Sequence, residues 1–280
     1  LLNQFLYVRA LLGVSDIVVT NDYSFVVFIG DFPSCEVGVT YAQCLGVLIT
    51  EKHLVAVEQC ITKRMENNKI QFCAGFHTVS KCTKYEGIIT ATYNDWVAQK
   101  ELSPLLSSQN IAIIAITSSK FSDLRIKQAF VPKKNEEFYG VPVTAIGFPY
   151  QRNSKSDLNN ATLSLLSKLS CEHQIPEHFK AYAAEKLLCT SSARSRIMRR
   201  DIGGPILYED DVLVGIHVYE TKPTINNINL HVRFNYVRDF IESNIPGAKL
   251  LQKPCQGKLK VGSSRAINAP VQAPNSGWTK

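Results

Sequence analysis

Seven short apolar segments, each rich in β-branched residues and closed by polar, Gly or Pro residues, dominate the chain: SFVVFIG (24–30), CLGVLIT (44–50), HLVAVEQC (53–60), NIAIIAI (110–116), VPVTAIGF (141–148), PILY (205–208) and VLVGIHVY (212–219). Runs of this length with turn residues between them read as strands, and their number predicts an all-β fold of barrels or sandwiches. Helical periodicity is confined to EHFKAYAAEKLL (177–188) and FNYVRDFIESN (234–244), the second closing the folded body before Pro246. The 280 residues suffice for two packed lobes with substantial cores, and no short-period repeat is present.

Charge separates the body from the C-terminal segment. Lys249, Lys253, Lys258, Lys260, Arg265 and Lys280 lie in residues 246–280 without one acidic residue, so they account for six of the seven net positive charges. The remainder is nearly neutral, which argues against a nucleic-acid partner. With Pro246, Pro254, Pro270 and Pro274 and little apolar material, residues 246–280 read as a basic, mostly disordered tail. Two readings of it stay open: a solvated spacer, or a contact to an anionic surface or acidic partner. No run of about 18 apolar residues predicts a membrane span. Residues 1–16 read as an N-terminal segment, either the remnant of a trimmed signal or a mature amino terminus.

The eight cysteines are even in number and form no C-x-x-C pair, and the histidines are not placed as zinc partners. Disulfides in an oxidising, extracellular compartment are therefore expected, with neither metal nor cofactor. Cys73 and Cys82, nine apart, are expected to staple a hairpin; for Cys35 and Cys255 two outcomes stay open, a bond to one another or a bond from Cys255 to another chain. Asn160-Ala161-Thr162 is a glycosylation acceptor pattern that agrees with export.

From about residue 17 to 245 the chain resembles the chymotrypsin-like (trypsin-type, peptidase S1) serine proteases. DIVVT (16–20) resembles the family's mature amino terminus, I-V-G-G, and CLGVLI resembles C-G-G-S-L-I. HLVAVEQC resembles W-V-L-T-A-A-H-C, NIAIIAI resembles D-I-A-L-L-K-L, and VTAIGF the V-T-G-W-G strand. LLCT (187–190) resembles M-L-C-A-G, RDIGGPI resembles G-D-S-G-G-P-L, LVGIHVY resembles L-V-G-I-V-S-W, and YVRDFI the closing helix. The resemblance implies two packed six-stranded antiparallel β-barrels, the first over about 17–135 and the second over about 136–233, followed by a helix at 234–244. It also implies disulfides Cys44–Cys60 and Cys171–Cys189. Two further family bridges are absent, with Met198 at one lost end and Val141 and Tyr208 at the positions of the other.

Carried over residue by residue, the resemblance places Gln59 at the catalytic histidine, Asn110 at the aspartate and Ile202 at the serine. A hydroxyl nucleophile needs a base whose pKa lies near neutrality, and an amide cannot serve. Ile202 offers only hydrocarbon, so no acyl intermediate can form there. Arg200 replaces the glycine of the oxyanion hole, Arg196 stands at the pocket floor, and Tyr219-Glu220 replace the Trp-Gly of the substrate channel. Glu220 is expected to close the pocket by a salt bridge to Arg196 or Arg200. Asp201 keeps the family's aspartate, but Asp16 precedes Ile17, so activation by cleavage after a basic residue is not expected and a structural partner for Asp201 is. His217 reads as a satisfied core or groove histidine. Gly203, Gly204 and Pro205 are the residues the turn and the following strand require.

These residues imply a secreted, non-catalytic serine protease homologue of a kind abundant in arthropods. It would act by binding a protein partner, such as an active protease, its substrate or its inhibitor, in an immune or reproductive secretion. The alternative is a surface- or glycan-binding module that uses Arg194, Arg196, Arg199 and Arg200 or the basic tail. An active peptidase with a rearranged site is the weakest reading, since no Ser or Cys has an evident base beside it.

Overall fold

The computed structural model describes residues 23–31, 41–61, 69–74, 83–100, 102, 104–105, 110–123, 126–133, 138–147, 158–175, 177, 180, 185–192, 197, 201–220, 228–245 and 250–252. Their strands close into two antiparallel barrels. The first contains β1 (Val26–Asp31), β2 (Tyr41–Thr50), β3 (His53–Val57), β4 (Lys69–Ala74), β5 (Thr83–Thr92) and β6 (Ile111–Ile116), in the order β1-β2-β3-β6-β5-β4. The second contains β7 (Pro142–Gly147), β8 (Asn159–Leu165), β9 (Leu187–Ser191), β10 (Pro205–Tyr208), β11 (Val212–Glu220) and β12 (Ile228–Arg233), in the order β7-β8-β9-β12-β11-β10. The two orders are the same, so the second barrel repeats the topology of the first. The helices that lie wholly among the described residues are α1 (Tyr93–Ala98), α2 (Lys168–Gln174) and α3 (Phe234–Asn244). This is the trypsin-like architecture that the resemblance implies.

Strand burial follows from what covers each face. β8 alternates, with Ala161, Leu163 and Leu165 buried and Thr162 and Ser164 exposed, as a barrel wall wetted on its outside must. β3 and β6 are buried almost throughout because their outer faces are also covered, so they read as unbroken apolar runs. α3 is part of that cover: it leaves the second barrel and packs on β6 and α1 as well as on β11 and β12. Tyr93 and Trp96 of α1 meet Phe240 of α3 edge to face, with centroids 5.7 and 5.9 Å apart.

The segment between the barrels is bonded residue by residue to three different elements. Ala129 N–H donates to the Leu48 carbonyl of β2 at 3.1 Å, and Phe130 N–H to that of Asp211 at 3.1 Å. Val131 N–H donates to the Leu251 carbonyl at 2.7 Å, and Val131 and Gln252 form a parallel bridge. Residues 250–252 are therefore docked, which corrects the expectation of disorder for the part of the tail that is described. Arg238 of α3 is buried, pairs with Glu242 at 3.7 Å and donates to the Pro132 carbonyl, which fastens the helix to the same segment.

Two further expectations are corrected. Leu187 and Leu188, read as the end of a helix, lie in β9 because they pair with Val232 and His231 of β12. Residues 53–60, read as one strand, divide: β3 ends at Val57, and Glu58–Cys60 turn as a short 3-10 helix that takes Cys60 to Cys44.

Candidate functional site

The three positions that the resemblance matches to a catalytic triad, Gln59, Asn110 and Ile202, lie at the ends of strands. Gln59 occupies the 3-10 turn after β3, half-buried, next to the Cys44–Cys60 disulfide. Asn110 immediately precedes β6 and is buried. Its carbonyl accepts from Glu58 N–H at 2.8 Å, continuing the β3–β6 ladder into the turn. Its side chain is fully engaged: Oδ1 accepts from Asn94 N–H at 3.0 Å, and Nδ2 donates to the Glu58 carboxylate. Asn94 in turn exchanges two hydrogen bonds with the Leu105 backbone, at 2.9 and 3.0 Å. A buried amide with both ends bonded is satisfied structural polarity, and it points at the residue before Gln59.

Ile202 sits in the turn that enters β10, and its side chain, 9% exposed, belongs to the large apolar cluster that also contains Cys44, Leu45 and Cys60. The turn presses against the first barrel. Leu45 N–H donates to the Ile202 carbonyl at 2.8 Å, and Gly203 has φ +86° with the Leu45 carbonyl 1.9 Å from where a Cβ would stand. Only glycine fits that combination of dihedral and contact. At Gly204 a Cβ would meet the carbonyls of Ile146 and Asp201 at 2.7 and 2.8 Å. Asp201 itself is buried, and its carbonyl accepts from Gly204 N–H. The glycines therefore persist for packing, independently of any chemistry at position 202.

β11 carries the turn from behind: Gly203 N–H donates to the His217 carbonyl at 2.8 Å, and His217 N–H to that of Gly204 at 2.9 Å. The His217 side chain points into the second barrel, where Nδ1 lies 3.2 Å from Nδ1 of His231. Burial holds His217 down at about 3 and His231 well below the usual imidazole range, so both rings are neutral near neutral pH. His217 is a core histidine, but the expectation that it is a satisfied one is corrected: its Nε2 is buried with no hydrogen-bond partner among the described residues. Past a bulge, Tyr219 and Glu220 pair with Leu230 and Asn229.

Cys171 and Cys189 are bonded, like Cys44 and Cys60. Cys73 on β4 is also disulfide-bonded, while its expected partner Cys82, together with Cys35 and Cys255, lies outside the described residues. Arg194, Arg196, Arg199 and Arg200 lie outside them as well, and with them the expected bridge to Glu220. Asn160 stands half-buried on β8, opposite Ile146. Among the described residues no cluster of three or more His, Cys, Asp or Glu could hold a metal, and no helix is long and apolar enough to cross a membrane.

Sequence reasoning missed Glu58, Asn94 and Lys186. Lys186, immediately before β9, is buried, with its pKa lowered by burial, and donates to the Pro104 carbonyl at 3.0 Å. Glu58 stood in the sequence beside Gln59 as a signal; Asn94 and Lys186 carry none, since their partners are 16 and 82 residues away.

A comparison with curated proteins finds no match. Among solved structures, the scabies mite inactivated protease paralogue S-D1 superposes with a TM-score of 0.60 at 19% identity, covering 84% of this chain and 99% of that one. Scabies mite inactivated protease paralogue S-I1 gives 0.59 at 16%, covering 82% and 98%. Both are likenesses of fold. The family model described as Trypsin matches residues 27–241, and with the paired barrels and the glycine turn in place, this chain belongs to the trypsin family.

Proposed function

We propose that the chain is a secreted, catalytically inactive member of the trypsin family that acts by binding a protein. Its partner would be an active protease, a protease substrate or an inhibitor, and its role that of cofactor, decoy or regulator in an extracellular protease network. The observation that carries the reading is the state of position 202: an isoleucine packed into the apolar cluster, with its carbonyl bonded to Leu45. No nucleophile exists there, Gln59 supplies no base, and the Asn110 amide is committed to Glu58 and Asn94. The likeness to two structures named inactivated protease paralogues supports it. Disulfides on both barrels agree with an oxidising compartment.

The test has two arms. Peptide and ester substrates and a fluorophosphonate probe should give neither turnover nor adduct; turnover abolished by replacing a single Ser or Cys would overturn the reading. Added to an active trypsin-type protease with a protein substrate and a protein inhibitor, the chain should change the rate of cleavage or of inhibition. Binding to heparin with no effect on any such reaction would instead favour the glycan-binding module.

A further inference from the structure

His217 on β11 and His231 on β12 stand directly opposite one another inside the second barrel, 1% and 0% exposed. Their Nδ1 atoms are 3.2 Å apart, so a single proton is shared between the rings. On its far side, His231 Nε2 lies 2.8 Å from Thr190 Oγ1 of β9, which is also 3.4 Å from Asn229 Nδ2. The groups facing the pair from β9 and β12 are thus neutral. Among the described residues no carboxylate acts on either ring: burial and the Leu230 backbone act on His217, and burial and His217 on His231. A second proton would set N–H against N–H in a space where the described residues supply no counter-charge, and would leave charge on a ring whose Nε2 has no partner among them.

The pair is coupled to the inter-barrel contact through the backbone. His217 exchanges two hydrogen bonds with Gly203 and Gly204, and the same turn accepts the Leu45 N–H bond from the first barrel. We propose that the His217–His231 pair is an acid-operated latch: at neutral pH the shared proton holds β11 on β12, and acidification charges the pair, parts these strands and releases the 201–204 turn from β2. An inactive protease homologue with such a latch would present its inter-barrel surface differently in neutral and acidic fluids.

The direction in pH follows from the lowered affinity for protons. Above about 6.5 neither the folded nor the unfolded chain protonates these rings, and the pair has no pH-dependent effect. As the pH falls from about 6.5 toward about 3, opened or unfolded molecules bind protons that the closed barrel does not. The opening equilibrium then rises by about tenfold per pH unit for each proton.

Amide hydrogen exchange of the full chain at pH 7.5, 6.5 and 5.5, corrected for intrinsic rates, tests the latch. The amides of Leu45, Gly203 and His217 should lose protection by about fivefold to thirtyfold between pH 6.5 and 5.5, while those of β3 and β6 change much less. In the double variant His217→Val, His231→Leu the loss should vanish. An equal loss in that variant, or a parallel loss across both barrels of the wild type, overturns the proposal. Should the double variant not fold, imidazole NMR of the wild type decides: titration of His217 near pH 6.5 with the three amides still protected overturns it, and loss of their protection with both rings still neutral in the closed form supports it.

Discussion

The side-chain amide of Asn110 donates to the carboxylate of Glu58, the residue immediately before Gln59. In the family the carboxylate at position 110 and the imidazole at position 59 orient one another. Here the polarity is reversed: the amide supplies the donor, and the carboxylate stands on the opposite partner, one residue away. The reversal makes restoration of the ancestral aspartate unfavourable.

Asn110→Asp removes the donor and places two carboxylates at hydrogen-bonding distance in a buried site. A loss of about 1–3 kcal/mol at pH 7 is expected. The loss should shrink as the pH is lowered into the carboxylate range, where one of the two takes a proton. Urea unfolding of wild type and variant at pH 7 and pH 4.5 measures both.

Gly203 and Gly140 both have positive φ, at 86° and 66°, but only Gly203 faces a carbonyl within 2 Å of its missing Cβ; nothing lies within 4 Å at Gly140. Gly140→Ala should cost about 1 kcal/mol from the dihedral alone. Gly203→Ala should cost more than about 3 kcal/mol or prevent folding, because Leu45 and the turn would have to part. Thermal unfolding separates the two.

Ile202→Ser restores the hydroxyl without a base. The variant should remain unreactive to fluorophosphonate and lose about 2–4 kcal/mol, since it deletes most of a side chain from the apolar cluster. Labelling and denaturation of one preparation test both halves.

Replacing Arg238 by Met should cost about 2–4 kcal/mol, because the Pro132 carbonyl loses a charged donor. The effect should be concentrated in the inter-barrel segment. Faster amide exchange at Ala129, Phe130 and Val131 than in β3 would show it.

Removing the Cys44–Cys60 disulfide with a double alanine substitution should cost about 3 kcal/mol, the chain-entropy value for a loop of this size. The sequence separation is 16 residues, and the Cys171–Cys189 pair, separated by 18, should behave alike. Unfolding midpoints of the two double variants provide the check.

The strands legible in the sequence were those whose apolar content exceeds what one wetted face requires, such as β3 and β6. The unread strands β4, β5, β8 and β12 mix polar residues into their length: TKYEGIITAT and NNATLSL become strands because neighbours 12 or more residues away complete their ladders. At β9 that pairing overrode a helical periodicity.

The sequence by itself determined the family and the two-barrel fold it implies, because ordered motifs and the identity of the side chain at position 202 are local facts. Tertiary structure alone decided what surrounds Asn110, Ile202 and His217. Glu58 meets Asn110 across 52 residues, Leu45 reaches Ile202 from the other barrel, and His217 finds His231 through strand register. Hydrogen bonds and burial depend on distance in space, and only the closed barrels bring these residues within reach.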